Sequence, residues 1–155
     1  MKKLLLFLML SVAITGCRKD SRTQSTDAAL KGTWKSTLII DVVYDSKTRE
    51  ELTRFNYLHG LGTLITFDGK GSTTSKDTIL NISLTNAYTL RTENNNKYLT
   101  TRIVNINKDV EYQILGLYDT QLQLKGTIRT NFDFLRNDGK YYNVYYERTE
   151  HYTRQ

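Results

Sequence analysis

From Trp34 onward the chain alternates. Apolar side chains recur at every second position in run after run, the period a strand with one buried face requires. The first run is Trp34, Ser36, Leu38, Ile40, Val42 and Tyr44. Leu61, Thr63, Ile65 and Phe67 follow, and Asp68-Gly69-Lys70-Gly71 reads as a hairpin turn. Ser72 to Lys76 is polar on both faces. Leu80, Ile82, Leu84, Tyr88 and Leu90 form the next apolar face, closed by a turn at Asn94 to Asn96. Then come Tyr98, Val104 and Ile106, a turn at Asn107 to Asp109, and Val110, Tyr112, Ile114 and Tyr118. Leu122, Leu124, Ile128, Phe132 and Phe134 lead through Asn137-Asp138-Gly139 into Tyr142, Val144, Tyr146 and Arg148. With 11 Tyr, no Pro and only nine Gly, the composition suits pleated, half-buried surfaces. The one helical segment expected is a turn or two around Lys47 to Leu52.

Register supplies an internal check. A turn at Asn107 to Asp109 sets Ile106 opposite Val110, Val104 opposite Tyr112 and Tyr98 opposite Tyr118, inward residue against inward residue. Pairing Phe134 with Tyr142 likewise sets Phe132 opposite Val144. Eight strands on short turns predict an all-β fold, a single antiparallel up-and-down eight-stranded barrel. Such a barrel either fills with side chains or holds one small ligand.

The start of the chain is of another kind. Met1-Lys2-Lys3 precedes an apolar run from Leu4 to Ile14, short of the roughly 20 residues that span a bilayer and matched to a secretory signal. Ile14-Thr15-Gly16-Cys17 resembles the lipobox of bacterial lipoproteins. The resemblance implies a signal peptide over 1–16, removed before a lipid-modified Cys17. It implies an outer-membrane, lipid-anchored protein of a Gram-negative envelope, facing the periplasm or the cell exterior. Lipidation uses the only cysteine, so no disulfide supports the fold. Residues 17–30 read as the lipidated cysteine and a polar tether, and 31–155 as the barrel domain.

Gly32-Thr33-Trp34 opens the first strand and resembles the Gly-x-Trp motif of the lipocalins, most closely the lipocalin-like domains of small bacterial lipoproteins. That likeness implies a lipocalin-like barrel whose closed end is plugged by Trp34, with Gly32 permitting a tight bend. It also implies a basic residue packed across the indole, a role assigned to Arg148 as a cation–π contact.

The inward parity marks Tyr88, Tyr98, Tyr112, Tyr118, Tyr142 and Tyr146 as ligand-lining residues, or as barrel filling that reaches water at the rim. Arg102 falls on the same parity, opposite Tyr88, where it would meet an anionic or polar ligand group or lie solvated near the open end. Outward, Leu99, Ile103, Leu115 and Leu117 form an apolar cluster, either a protein-partner site or a face covered by the segment from Asp45 to Gly60. Thr78, in Asp77-Thr78-Ile79, resembles an acceptor for periplasmic O-glycosylation.

Function classes narrow accordingly. The net charge of +6 is spread along the strands, which argues against nucleic-acid binding. His59 and His151 are the only histidines, and no nucleophile or phosphate-loop motif occurs, so neither enzyme, metal site nor cofactor is expected. The expected role is non-enzymatic: an envelope lipoprotein that binds a small amphipathic or apolar ligand in its barrel. The alternative is a protein-binding module, an accessory subunit or inhibitor, acting through its outer surface.

Overall fold

A computed structural model describes residues 25–58, 62–103 and 108–155. The signal segment, Cys17, most of the tether, Leu61, Val104 and Ile106 lie outside the described residues, as do the side chains of Ile103 and Phe132. A short helix α1 (Thr26–Leu30) precedes the strands β1 (Gly32–Asp45), β2 (Glu51–Leu58), β3 (Thr63–Phe67), β4 (Ser72–Asp77) and β5 (Ile82–Glu93). β6 (Asn96–Ile103), β7 (Lys108–Leu117), β8 (Gln121–Leu135) and β9 (Tyr141–Arg154) complete the sheet. All pairings are antiparallel, each strand from β3 to β9 pairs with the next, and β1 pairs with β9 to close the ring. The fold is the closed eight-stranded antiparallel barrel expected.

Nine described strands fill eight barrel positions because β2 and β3 share one. β2 lies along Leu38–Tyr44 of β1, and β3 along Gly32–Lys35 of the same edge. β2 corrects the expected helical turns near Lys47. Asp45 accepts hydrogen bonds from the Lys47 and Thr48 backbones, both at 2.7 Å, which tightens a turn and sends the chain straight back as a strand.

Two bulges and one loop decide which side chains face inward. The β1–β9 register shifts between Ser36 and Leu38, leaving Thr37 as an extra residue whose hydroxyl donates to the His151 carbonyl at 3.1 Å. Beyond it the predicted set Leu38, Ile40, Val42 and Tyr44 gives way to Ile39, Asp41, Val43 and Asp45, all buried. A second shift between Ile114 and Gly116 turns Leu117 toward the core and leaves Tyr118 68% exposed on the outside. The β5–β6 loop has two residues, Asn94 and Asn95, both with positive φ (49° and 65°), as a primed hairpin turn requires. It sets Leu90 opposite Leu99 and Tyr88 opposite Thr101.

The closed end is built around Trp34, which is fully buried. Its indole N–H donates to the Leu30 carbonyl at 2.7 Å, and the Arg154 guanidinium stacks 4.3 Å from its ring. Arg154 also donates to the carbonyls of Lys31 and Ala29, the open acceptors at the end of α1. Arg154, not Arg148, therefore covers the tryptophan; it lies six residues further along the same face of β9. Gly32 has φ +127°, a conformation that favours glycine, and a Cβ there would sit 3.2 Å from Arg154 Nη1, so the missing side chain also makes room for the guanidinium. Leu30 is fully buried beneath the same cluster, so the folded unit begins within the expected tether.

Candidate functional site

Above this floor the barrel keeps a cavity of about 330 Å³. Its apolar wall is Ile39, Ile65, Phe67, Leu80, Ile82, Leu84, Leu99 and Leu124. A polar strip runs along β4 through Thr73, Ser75 and Asp77, with Asn86 and Thr101 alongside. Arg148, Glu150 and Tyr152 of β9, with Tyr112 of β7, form the charged and phenolic side.

That last group is tightly connected. Arg148 donates two hydrogen bonds to Asp41, from Nε to Oδ1 and from Nη2 to Oδ2, both at 2.8 Å. The bulge at Thr37 is what brings Asp41 to the inner face, where it lies opposite Arg148. Glu150 is 7% exposed; the Tyr152 hydroxyl donates to its Oε2 at 2.6 Å, and Arg148 Nη1 stands 3.8 Å from its Oε1. Burial raises the Glu150 pKa above the ordinary 4.5, against the lowering effects of the Tyr152 hydrogen bond and the Arg148 charge. Burial, followed by the Glu150 charge, pushes the Tyr152 and Tyr112 phenols well above 10.0. Burial alone would lower Arg148, but the hydrogen bonds and charge of Asp41, then the charge of Glu150, outweigh it and keep the guanidinium protonated.

Gly126 makes this packing fit. It faces Tyr112 on one neighbouring strand and Arg148 on the other. A Cβ at Gly126 would lie 2.8 Å from Tyr112 Cδ1, so the ring occupies the space the missing side chain leaves.

The expected lining residues divide. Tyr112 lines the cavity. Tyr88 is buried but belongs to the floor, edge-on to Phe67 at 5.3 Å and donating to Asp27 of α1 at 2.8 Å. Burial and that hydrogen bond push its pKa up to about 12. Tyr146 is half-buried beside Arg148, whose guanidinium is 5.5 Å from the ring, while Tyr142 turns to Asp138 in the β8–β9 hairpin at 2.7 Å. Of the six tyrosines only Tyr112 lines the cavity, and Tyr98 and Tyr118 do not even face inward. The two-residue loop turns Tyr98 outward, where Arg91 stacks 4.3 Å from its ring, and the β7 bulge expels Tyr118. Arg102 pairs with Asp109 of β7 rather than facing Tyr88; it borders the cavity, but its half-exposed side chain comes 3.8 Å from that carboxylate.

The outer apolar cluster does not form. Leu99 is 1% exposed and lines the cavity, and Leu117 packs on the core, so of the described side chains of that cluster only Leu115 is exposed; the side chain of Ile103 lies outside the described residues. Exposed apolar side chains gather instead at Ile79, Leu80 and Ile82, around the β4–β5 turn at the cavity's edge. Thr78 is exposed in that turn, with its hydroxyl donating to the Gly62 carbonyl at 2.6 Å. Among the described residues no three His, Cys, Asp or Glu side chains group to hold a metal, and no helix is long and apolar enough to cross a membrane.

The sequence reading missed Asp41, Glu150 and Tyr152. Glu150 and Tyr152 continue the inward parity of Tyr142 to Arg148, so extending the last strand would have found them. Asp41 carries no such signal, because a bulge placed it. Comparison with family models, curated proteins and solved structures finds no match, so the reading of this site stands on its geometry.

Proposed function

We propose that this protein is a non-enzymatic, lipid-anchored envelope protein that holds a small amphipathic ligand in its barrel. One observation carries the reading: a cavity of about 330 Å³ whose lining is largely apolar and includes one charged, phenolic cluster. That size lies at the lower end of small-molecule sites, and the mixed lining suits a molecule with an alkyl or ring body and one polar group. The exposed Ile79, Leu80 and Ile82 give an apolar approach to it. Sequestration or delivery is the matching role, and no metal, cofactor or nucleic acid takes part in it. Anchoring through Cys17 at the outer membrane rests on the lipobox alone. Modification of Thr78 is the corresponding proposal for the β4–β5 turn.

Native mass spectrometry of the protein purified from its own envelope tests the ligand reading. A bound small molecule of constant mass, lost on denaturation, is the expected result. An empty barrel that also takes up no alkyl probe in titration overturns it. Mass spectrometry of the same material reads the acyl chains on Cys17 and any glycan on Thr78.

A further inference from the structure

We propose that the cavity selects a ligand with a basic head group, an ammonium seated against the Glu150 carboxylate. The inference rests on the ligand-binding reading above and narrows it to a class. Charge count and geometry carry it. Asp41, Arg148 and Glu150 meet on the inner face of β1 and β9, two carboxylates against one guanidinium. Arg148 is committed to Asp41 by two hydrogen bonds. Glu150 shares that one cation with Asp41: its Oε1 is 3.8 Å from Arg148, an ion pair without a hydrogen bond, and its Oε2 takes only the neutral Tyr152 hydroxyl. From the strands around it, β7 presents Tyr112 and β8 presents Leu124 and Gly126, so no second cation faces it among the described residues.

A carboxylate this deeply buried is neutralised either by a proton or by a positive charge. Burial raises the carboxyl's pKa and so leans the empty site toward the first. An alkylammonium supplies the second. Its N–H groups donate to Oε1 while its chain lies on Leu84, Leu99 and Leu124, which line the same cavity. The ammonium keeps its protons. Where Glu150 is protonated beforehand, that proton leaves to solvent as the ligand enters. A ligand carboxylate placed at this end would instead meet Glu150 with Asp41 behind it, like charge against like, and would have to turn toward Arg102 on the cavity's border to find a cation.

Calorimetric titration of the purified full-length chain with decylamine, decanol and decanoate tests the class. Decylamine is expected to bind about tenfold or more tightly than either, the worth of one charge-assisted hydrogen bond. Its affinity should fall as the pH is lowered toward the ordinary carboxylate range, with proton release read from two buffers of different ionisation heat. In Glu150→Gln the preference over decanol should vanish. Decanol or decanoate bound by the wild type as tightly as decylamine overturns the basic-ligand inference and leaves the ligand-binding reading standing. Failure of all three to bind overturns both. Should Glu150→Gln not fold, the wild type decides: a decylamine affinity indifferent to pH, without proton release, overturns the inference.

Discussion

Arg148 and Arg154 stand on the inner face of β9, six positions apart, and meet different needs. Arg154 covers an indole and takes up the carbonyls that α1 leaves open. Arg148 neutralises a buried aspartate. Removing it strands Asp41 without compensation, so Arg148→Ala should cost about 3–5 kcal/mol in urea unfolding. Asp41→Leu combined with Arg148→Met and Glu150→Gln should cost clearly less, since no charge of the cluster is then left buried. Glu150 gives a pH signature. Its folded pKa lies above 4.5, so the folded state holds the proton longer than the unfolded chain does. Its contribution is therefore full below pH 4.5 and is lost as pH rises through the folded value. Unfolding curves of the wild type and Glu150→Gln across that window should diverge, with the slope from this group absent in the variant.

At the scale of the strand, glycine and asparagine positions set the faces. Gly126→Ala drives a methyl into the Tyr112 ring, with the nearest approach at 2.8 Å. Overpacking of this kind should cost about 1–3 kcal/mol, read by thermal unfolding, and should shrink the cavity as Tyr112 shifts inward. Asn95 holds φ at 65° in the β5–β6 hairpin. Asn95→Val should cost about 1–3 kcal/mol because a β-branched side chain is strained there, whereas Asn95→Gly should be tolerated. The same positions explain what could be read in advance. Apart from β2, strand existence was legible from alternation, and the faces of β3 and β5 follow the pattern throughout: Ile65 and Phe67, then Ile82, Leu84, Tyr88 and Leu90. The face of β6 was not, because one residue more or fewer in the Asn94 loop exchanges Tyr98 for Leu99. Bulges hide for a related reason. Thr37 and Leu115 are ordinary strand residues, and nothing local marks them as the extra ones. Asp41, the least expected member of the charged cluster, owes its place to the first of these.

For the molecule as a whole, closure leaves no free edge along most of the ring, and the floor carries much of the burial. Leu30, Trp34, Phe67, Tyr88 and Tyr152 belong to one continuous core with the barrel interior. Leu30 is the contribution of α1 and is completely enclosed. Leu30→Ala should cost about 2–5 kcal/mol in denaturant unfolding, which would place the start of the cooperative unit ahead of Gly32. α1 also fixes a direction in space. It sits under the floor, joined to Tyr88 and Arg154, while Asp77, Leu80 and Ile82 border the cavity away from it. If the chain is anchored through Cys17 as proposed, it would leave through the helix, with the bilayer on the side of the Trp34 floor and the mouth facing away from it. Cargo would then be exchanged with the aqueous side or with whatever docks there, and the barrel would stand as an upturned cup rather than a siphon drawing on its own membrane.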